Sequence, residues 1–191
     1  MPAKRAVIVG IPGVGKTTVI SKVRDLLLGK GVAVEHVIFG TKMFDEARKL
    51  GIIDRDRMRS LPMSEQKELQ TKVASIIAQM TVTITLIDTH LFIRTQEGYL
   101  PGLPGNILTA LKPTNLILIE ASVADVISRR SSDTTRNRDV LDEATIEMEI
   151  RLAREILAAS SVISGSPMKI ILNENNMIDR TADEVFQALL K

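Results

Sequence analysis

Cysteine is absent from the 191 residues. That excludes disulfides and thiolate metal sites, and it fits a reducing compartment such as the cytoplasm. Any metal must then be held by oxygen, and Mg²⁺ carried on a nucleotide is the natural candidate. Aromatic residues are scarce, four Phe and one Tyr, so a base-stacking platform for nucleic acid is not expected. The formal net charge of +2 is likewise too small to argue for nucleic acid as the main partner. No apolar run approaches the roughly 20 residues that span a bilayer. The opening MPAKRAVIVG leads straight into a glycine loop and lacks a signal-peptide layout. The expectation is a soluble, cytoplasmic protein with neither nucleic acid nor membrane as partner, and its 45% hydrophobic content suffices for one folded core.

Strand and helix patterns alternate along the chain. Short apolar runs at residues 5–10, 33–39, 83–88, 115–120 and 168–173 read as five strands. Between them lie helical patterns, among them a short helix that Gly51 could cap, a long one over 64–80 and another over about 142–160. Thr181 and Glu184 form a capping-box pattern for a final helix. Nearly continuous apolar strands alternating with helices predict a mostly parallel sheet covered on both faces. Two insertions follow strands, at about 40–80 and around RRSSDTTRNRD, near the carboxyl edge where such folds bind ligands.

Gly10-Ile11-Pro12-Gly13-Val14-Gly15-Lys16-Thr17-Thr18 satisfies G-x-x-x-x-G-K-[ST], with an apolar strand before it and a helix after it. Its glycines let backbone N–H groups turn around phosphate oxygens, and the helix directs its positive end at them. Lys16 would reach the terminal phosphates, and Thr17 would offer its hydroxyl to Mg²⁺.

A GTPase switch needs D-x-x-G and N-K-x-D. Here the corresponding stretches read Asp88-Thr89-His90-Leu91 and Asn173-Glu174-Asn175-Asn176. Asp88 does occupy the strand-end position of a metal-holding acid, and His90 is expected to orient its neighbours by hydrogen bonding. Arg59, Arg94, Arg129, Arg130, Arg136, Arg138 and Arg154 all lie in or beside the insertions and strand ends. Arginine suits bidentate phosphate contact, and a kinase joining two phosphorylated substrates must neutralise more charge than a hydrolase does. Any one of these arginines could instead be a solvated surface charge. The polar stretch at 131–137 has the composition of a closing lid, and equally of a plain surface loop.

Together with the P-loop, FGTKMF, DRDRMRSL, DTH, GYLPGLP and TRNRD, in that order and spacing, resemble the archaeal-type adenylate kinases over almost the whole chain. The resemblance implies an α/β P-loop nucleoside-monophosphate-kinase-like three-layer fold around a mostly parallel five-stranded central sheet. It implies a single kinase domain over 1–191, with an AMP-binding insertion at about 40–80 and a short lid at about 129–141. The implied reaction is Mg·ATP + AMP ⇌ 2 ADP, in the cytoplasm, by a homotrimer. Gly40 and Thr41 would border AMP, Arg59 and Arg94 would grip its phosphate, and Tyr99, Leu100, Pro101 and Gly102 would begin a tight turn against its base. Arg129, Arg136 and Arg138 would belong to the lid, with Arg154 facing the phosphates. Asn173 and Asn175 would sit against the ATP adenine, while Asp88 and Thr17 would hold Mg²⁺, Asp88 through water. A kinase for CMP, UMP or an alcohol remains an alternative on the same fold, and a non-catalytic nucleotide-dependent binding module is another.

Overall fold

The alternating pattern becomes a five-stranded parallel sheet in the computed structural model, which describes residues 3–95, 98–132 and 142–190, with only the backbone of Arg59. The elements are β1 (Lys4–Val9), α1 (Lys16–Gly29), β2 (Val34–Ile38), α2 (Phe39–Arg48), α3 (Arg55–Arg59), α4 (Met63–Ala78), β3 (Ile84–Asp88), β4 (Phe92–Thr95), β5 (Gly98–Pro101), α5 (Gly105–Leu111), β6 (Asn115–Glu120), α6 (Val123–Ser132), α7 (Glu143–Ser164), β7 (Met168–Leu172) and α8 (Ile178–Leu190).

The sheet order is β2-β3-β1-β6-β7. Parallel neighbours joined by right-handed crossovers send α1 to one face and α4, α5 and α7 to the other. In agreement, α1 packs on α8, while α5 packs on both α4 and α7. The three inner strands carry the core: Val7, Ile8, Leu86, Ile87 and Leu116 to Ile119 are all buried. The edge strands β2 and β7 are more exposed. All five carboxyl ends meet at one edge of the sheet, and the candidate site lies there.

Three local expectations change. Phe39 opens α2 instead of closing β2. GYLPGLP is not a turn over its first half: β5 pairs antiparallel with β4, setting Arg94 opposite Tyr99 and Ile93 opposite Leu100. Proline is tolerated there because Pro101 ends a short strand in a separate two-stranded sheet. The capping box also fails, because α8 starts at Ile178, before Thr181. The Thr181 hydroxyl is buried and donates back to Met177 O at 3.0 Å, with Asn173 Oδ1 a second acceptor within reach at 3.2 Å. Gly51 does close the turn after α2, with φ +83° and its N–H donating to Arg48 O at 3.0 Å. Among the described residues no helix is long and apolar enough to cross a membrane.

Candidate active site

The loop from Gly10 to Gly15 joins β1 to α1, and α1 begins at Lys16. Gly15 is the residue before the helix, in the left-handed region at φ +83°, and no side chain among the described residues caps it. The first-turn N–H groups are therefore directed at the space over the loop, with the positive helix end behind them. Thr17 and Thr18 are exposed on that turn.

Two peptide planes of the loop are held from outside. Val14 O accepts from Asn173 Nδ2 at 2.8 Å and from Arg129 Nη1 at 3.1 Å. Pro12 O accepts from Arg130 Nε at 2.9 Å and Nη2 at 2.7 Å. A trans peptide is planar, with C=O and the next N–H antiparallel. Pinning those carbonyls outward turns the N–H groups of Gly13 and Gly15 the other way, which is the geometry of an anion-binding nest. Gly15 admits no side chain, since a Cβ would lie 2.6 Å from Asn173 Nδ2.

Lys16 and Asp88, singled out separately in the sequence, meet in the structure. Lys16 Nζ donates to Asp88 Oδ1 and, at 2.9 Å, to Thr89 O; both side chains are buried. β2 and β3 also bring His36 to this carboxylate, its Nε2 3.9 Å from Asp88 Oδ2. Burial pushes the Asp88 carboxyl up, but His36, Lys16 and His90 outweigh it and hold the group below the ordinary carboxylate range. Asp88 is thus an anion at neutral pH, and its carboxylate and the Thr17 hydroxyl are oxygen donors of the kind that could hold Mg²⁺. No cluster of three or more acidic, His or Cys ligands exists among the described residues, so most of the coordination would come from phosphate and water.

On the β6–β7 side, Arg129 braces the Asn173 loop. Besides Val14 O, it donates to Asn173 O at 2.9 Å and to Asn175 Oδ1 at 2.8 Å. Arg154 makes a two-pronged pair with Glu120 at 2.7 and 2.6 Å, which raises its pKa further. On the β2–β3 side, Gly40 and Thr41 occupy the first turn of α2, and Arg55 Nη2 donates to Thr41 Oγ1 at 3.1 Å while lying over the Phe44 ring. Arg94 is exposed on β4, and Tyr99, Leu100 and Pro101 lie on β5 with Gly102 just beyond. Arg136, Arg138 and the Arg59 side chain lie outside the described residues.

His36, Glu120, Glu149 and the job of Arg130 emerge only in the fold. A signal existed for Glu149: it falls on the core-facing stripe of α7 with Ile146, Ala153 and Leu157, where a lone carboxylate is unexpected.

A family model described as an AAA domain matches residues 9–147. The adenylate kinase of Methanocaldococcus jannaschii is 38% identical over 191 residues, 99% of this chain and 100% of its own. That of Sulfurisphaera tokodaii is 39% identical over 193 residues, 98% and 100% of the two chains. Among solved structures, shikimate kinase from Acinetobacter baumannii in complex with shikimate superposes with a TM-score of 0.62 at 15% identity, covering 98% of this chain and 93% of that one. Shikimate kinase from Bacteroides thetaiotaomicron gives 0.60 at 14%, covering 98% and 99%. At such identities the likeness shows the fold alone.

Proposed function

The chain belongs to the adenylate kinase family and also matches the AAA-domain family model, and from this premise we propose that it moves the γ-phosphoryl group of ATP onto AMP. An oxygen of the AMP phosphate forms the new bond to γ-phosphorus as the bond to the β–γ bridging oxygen breaks, giving two ADP. No general base is needed, because the attacking oxygen is already anionic. The work left to the protein is positioning and charge stabilisation.

The observation that carries this reading is the ion pair of Lys16 and Asp88 beneath a loop whose carbonyls are turned outward. Gly13 and Gly15 direct N–H groups at the donor phosphates, and Lys16 supplies the ammonium beside them. Thr17 and Asp88 would hold Mg²⁺, which neutralises charge on the phosphates when bound. Asn173 and Asn175 would flank the adenine of ATP, with Arg129 bracing them. Gly40, Thr41, Arg59, Arg94 and residues 99–102 would receive AMP through the insertion at about 40–80. Arg136, Arg138 and Arg154 would draw the two phosphate chains together as the lid closes and excludes water. Of its expected span of about 129–141, residues 129–132 instead end α6, where Arg129 and Arg130 are tied to the phosphate loop. The resemblance further supports a homotrimer, and the lack of cysteine supports the cytoplasm.

The test mixes the protein with Mg·ATP and each of AMP, CMP and UMP, following ADP by a coupled assay. ADP formation with AMP far above the others is expected, and activity with CMP but none with AMP overturns the reading. Sedimentation equilibrium checks the trimer.

A further inference from the structure

Glu149 is 3% exposed. A buried carboxylate needs partners that offset its lost hydration, and here they come from two other parts of the fold. Tyr99 Oη donates to Glu149 Oε1 at 3.2 Å, and Arg130 Nη2 lies 3.6 Å from Oε2. The Arg130 side chain is buried as well, and its Nε and Nη2 converge on Pro12 O. A continuous polar path thus joins the P-loop, α6, α7 and β5. Tyr99 packs its ring edge-on against Phe92, 5.1 Å between centroids, so its hydroxyl is the part that reaches α7.

The Pro12–Gly13 peptide needs such a hold. Gly13 sits at φ +95°, and glycine occupies either sign of φ with similar ease. The loop's own residues therefore do not decide which way that peptide faces. Arg130 decides it, lying so close that a Cβ on Gly13 would meet its Cγ at 3.1 Å and its Nε at 3.2 Å. Arg130 in turn requires a counter-charge to stay in a water-poor position, and Glu149 supplies one.

We propose that Glu149 is a positioning residue for phosphoryl transfer: it fixes Arg130 so that the Gly13 N–H stays aimed at the donor phosphates, and through Tyr99 it couples that peptide to the hairpin carrying Arg94. The proposal rests on the adenylate kinase reading for which side is donor and which acceptor. A fault in Glu149 is therefore felt in ATP binding even when AMP is absent.

The experiment compares Glu149→Gln, which keeps shape, Arg130→Lys, which keeps charge but loses the fork, and Tyr99→Phe, which keeps the ring. ATP affinity is measured by calorimetry without AMP, and kcat and KM for AMP by the coupled assay. Glu149→Gln and Arg130→Lys should each lower kcat by roughly 10–100-fold and weaken ATP by roughly tenfold, with KM for AMP within about threefold. Tyr99→Phe should weaken ATP by about threefold, with no further loss on top of Glu149→Gln. A folded Glu149→Gln enzyme with ATP affinity and kcat within about twofold of the parent overturns the proposal, as does a loss confined to Tm or to KM for AMP. Should Glu149→Gln not fold, parental ATP affinity in both other variants overturns it equally. A parent protein that binds ATP yet forms no ADP refutes the kinase reading instead, while the ATP affinities still judge Glu149.

Discussion

Gly102 lies just past β5, and its N–H donates to Leu91 O at 2.7 Å. A Cβ added there would fall 2.1 Å from His90 O and 3.0 Å from His90 C, whereas ordinary contact begins at 3.4 Å. The shortfall exceeds 1 Å, and the obstructing atoms are backbone, which cannot rotate aside. Gly102→Ala must therefore drive β5 away from the segment after Asp88. Overpacking of this kind costs about 1–3 kcal/mol. At about 2–4 °C per kcal/mol for a domain of this size, Tm should fall by roughly 2–12 °C in calorimetry. The displaced segment adjoins Thr89, whose carbonyl accepts from Lys16, so a shift near 1 Å should also lower kcat about a hundredfold. Gly29→Ala is the control. It ends α1 with nothing within 4 Å of its Cβ, and alanine there should leave Tm unchanged or raise it. A Gly102→Ala enzyme with the parent's Tm and kcat would refute the close approach and the coupling drawn from it.

Lys16→Ala should cut turnover by about 10²–10³ while the circular dichroism spectrum stays native; near-parental turnover would remove Lys16 from the mechanism. Glu46 gives a pH prediction. Hydrogen bonds from Lys49, at 2.6 Å, and Lys72, at 3.1 Å, overcome burial and hold its carboxyl below the ordinary value of 4.5. A carboxylate depressed by folding contributes stability that is present above its unfolded pKa and lost as pH falls through the folded one. Between about pH 5 and 3 the parent's Tm should thus drop more steeply than that of Glu46→Gln, and parallel curves would discount the pair.

The features legible in the sequence were those written in local patterns. The P-loop is one, because turn, lysine and helix start are adjacent residues. The buried strands β1, β3 and β6 are others, since both their faces are covered and their apolar runs are unbroken. The β4–β5 hairpin was not legible, because two prolines in GYLPGLP imitate a loop and the pairing depends on contacts with Phe92 and α7. Thr181 and Glu184 fit a cap equally well inside a helix, and the true start lay upstream, where Asn176 turns at φ +62°. His36 became a neighbour of Asp88 only once β2 was registered on β3. Arg129 and Arg130 read as two members of one basic cluster. On α6 they point about 100° apart, so each takes a different loop carbonyl.

The position of β1 between β3 and β6 bears on how such an enzyme can diversify. Connections leaving β2 and β3 open on one flank of the phosphate loop, and those leaving β6 and β7 on the other. If AMP and ATP bind as proposed above, a lineage could exchange its preferred acceptor by altering residues on the first flank while inheriting its grip on ATP intact. Where Tyr99 meets Glu149, and where α5 packs on α7, a change on one flank would oblige a compensating change on the other.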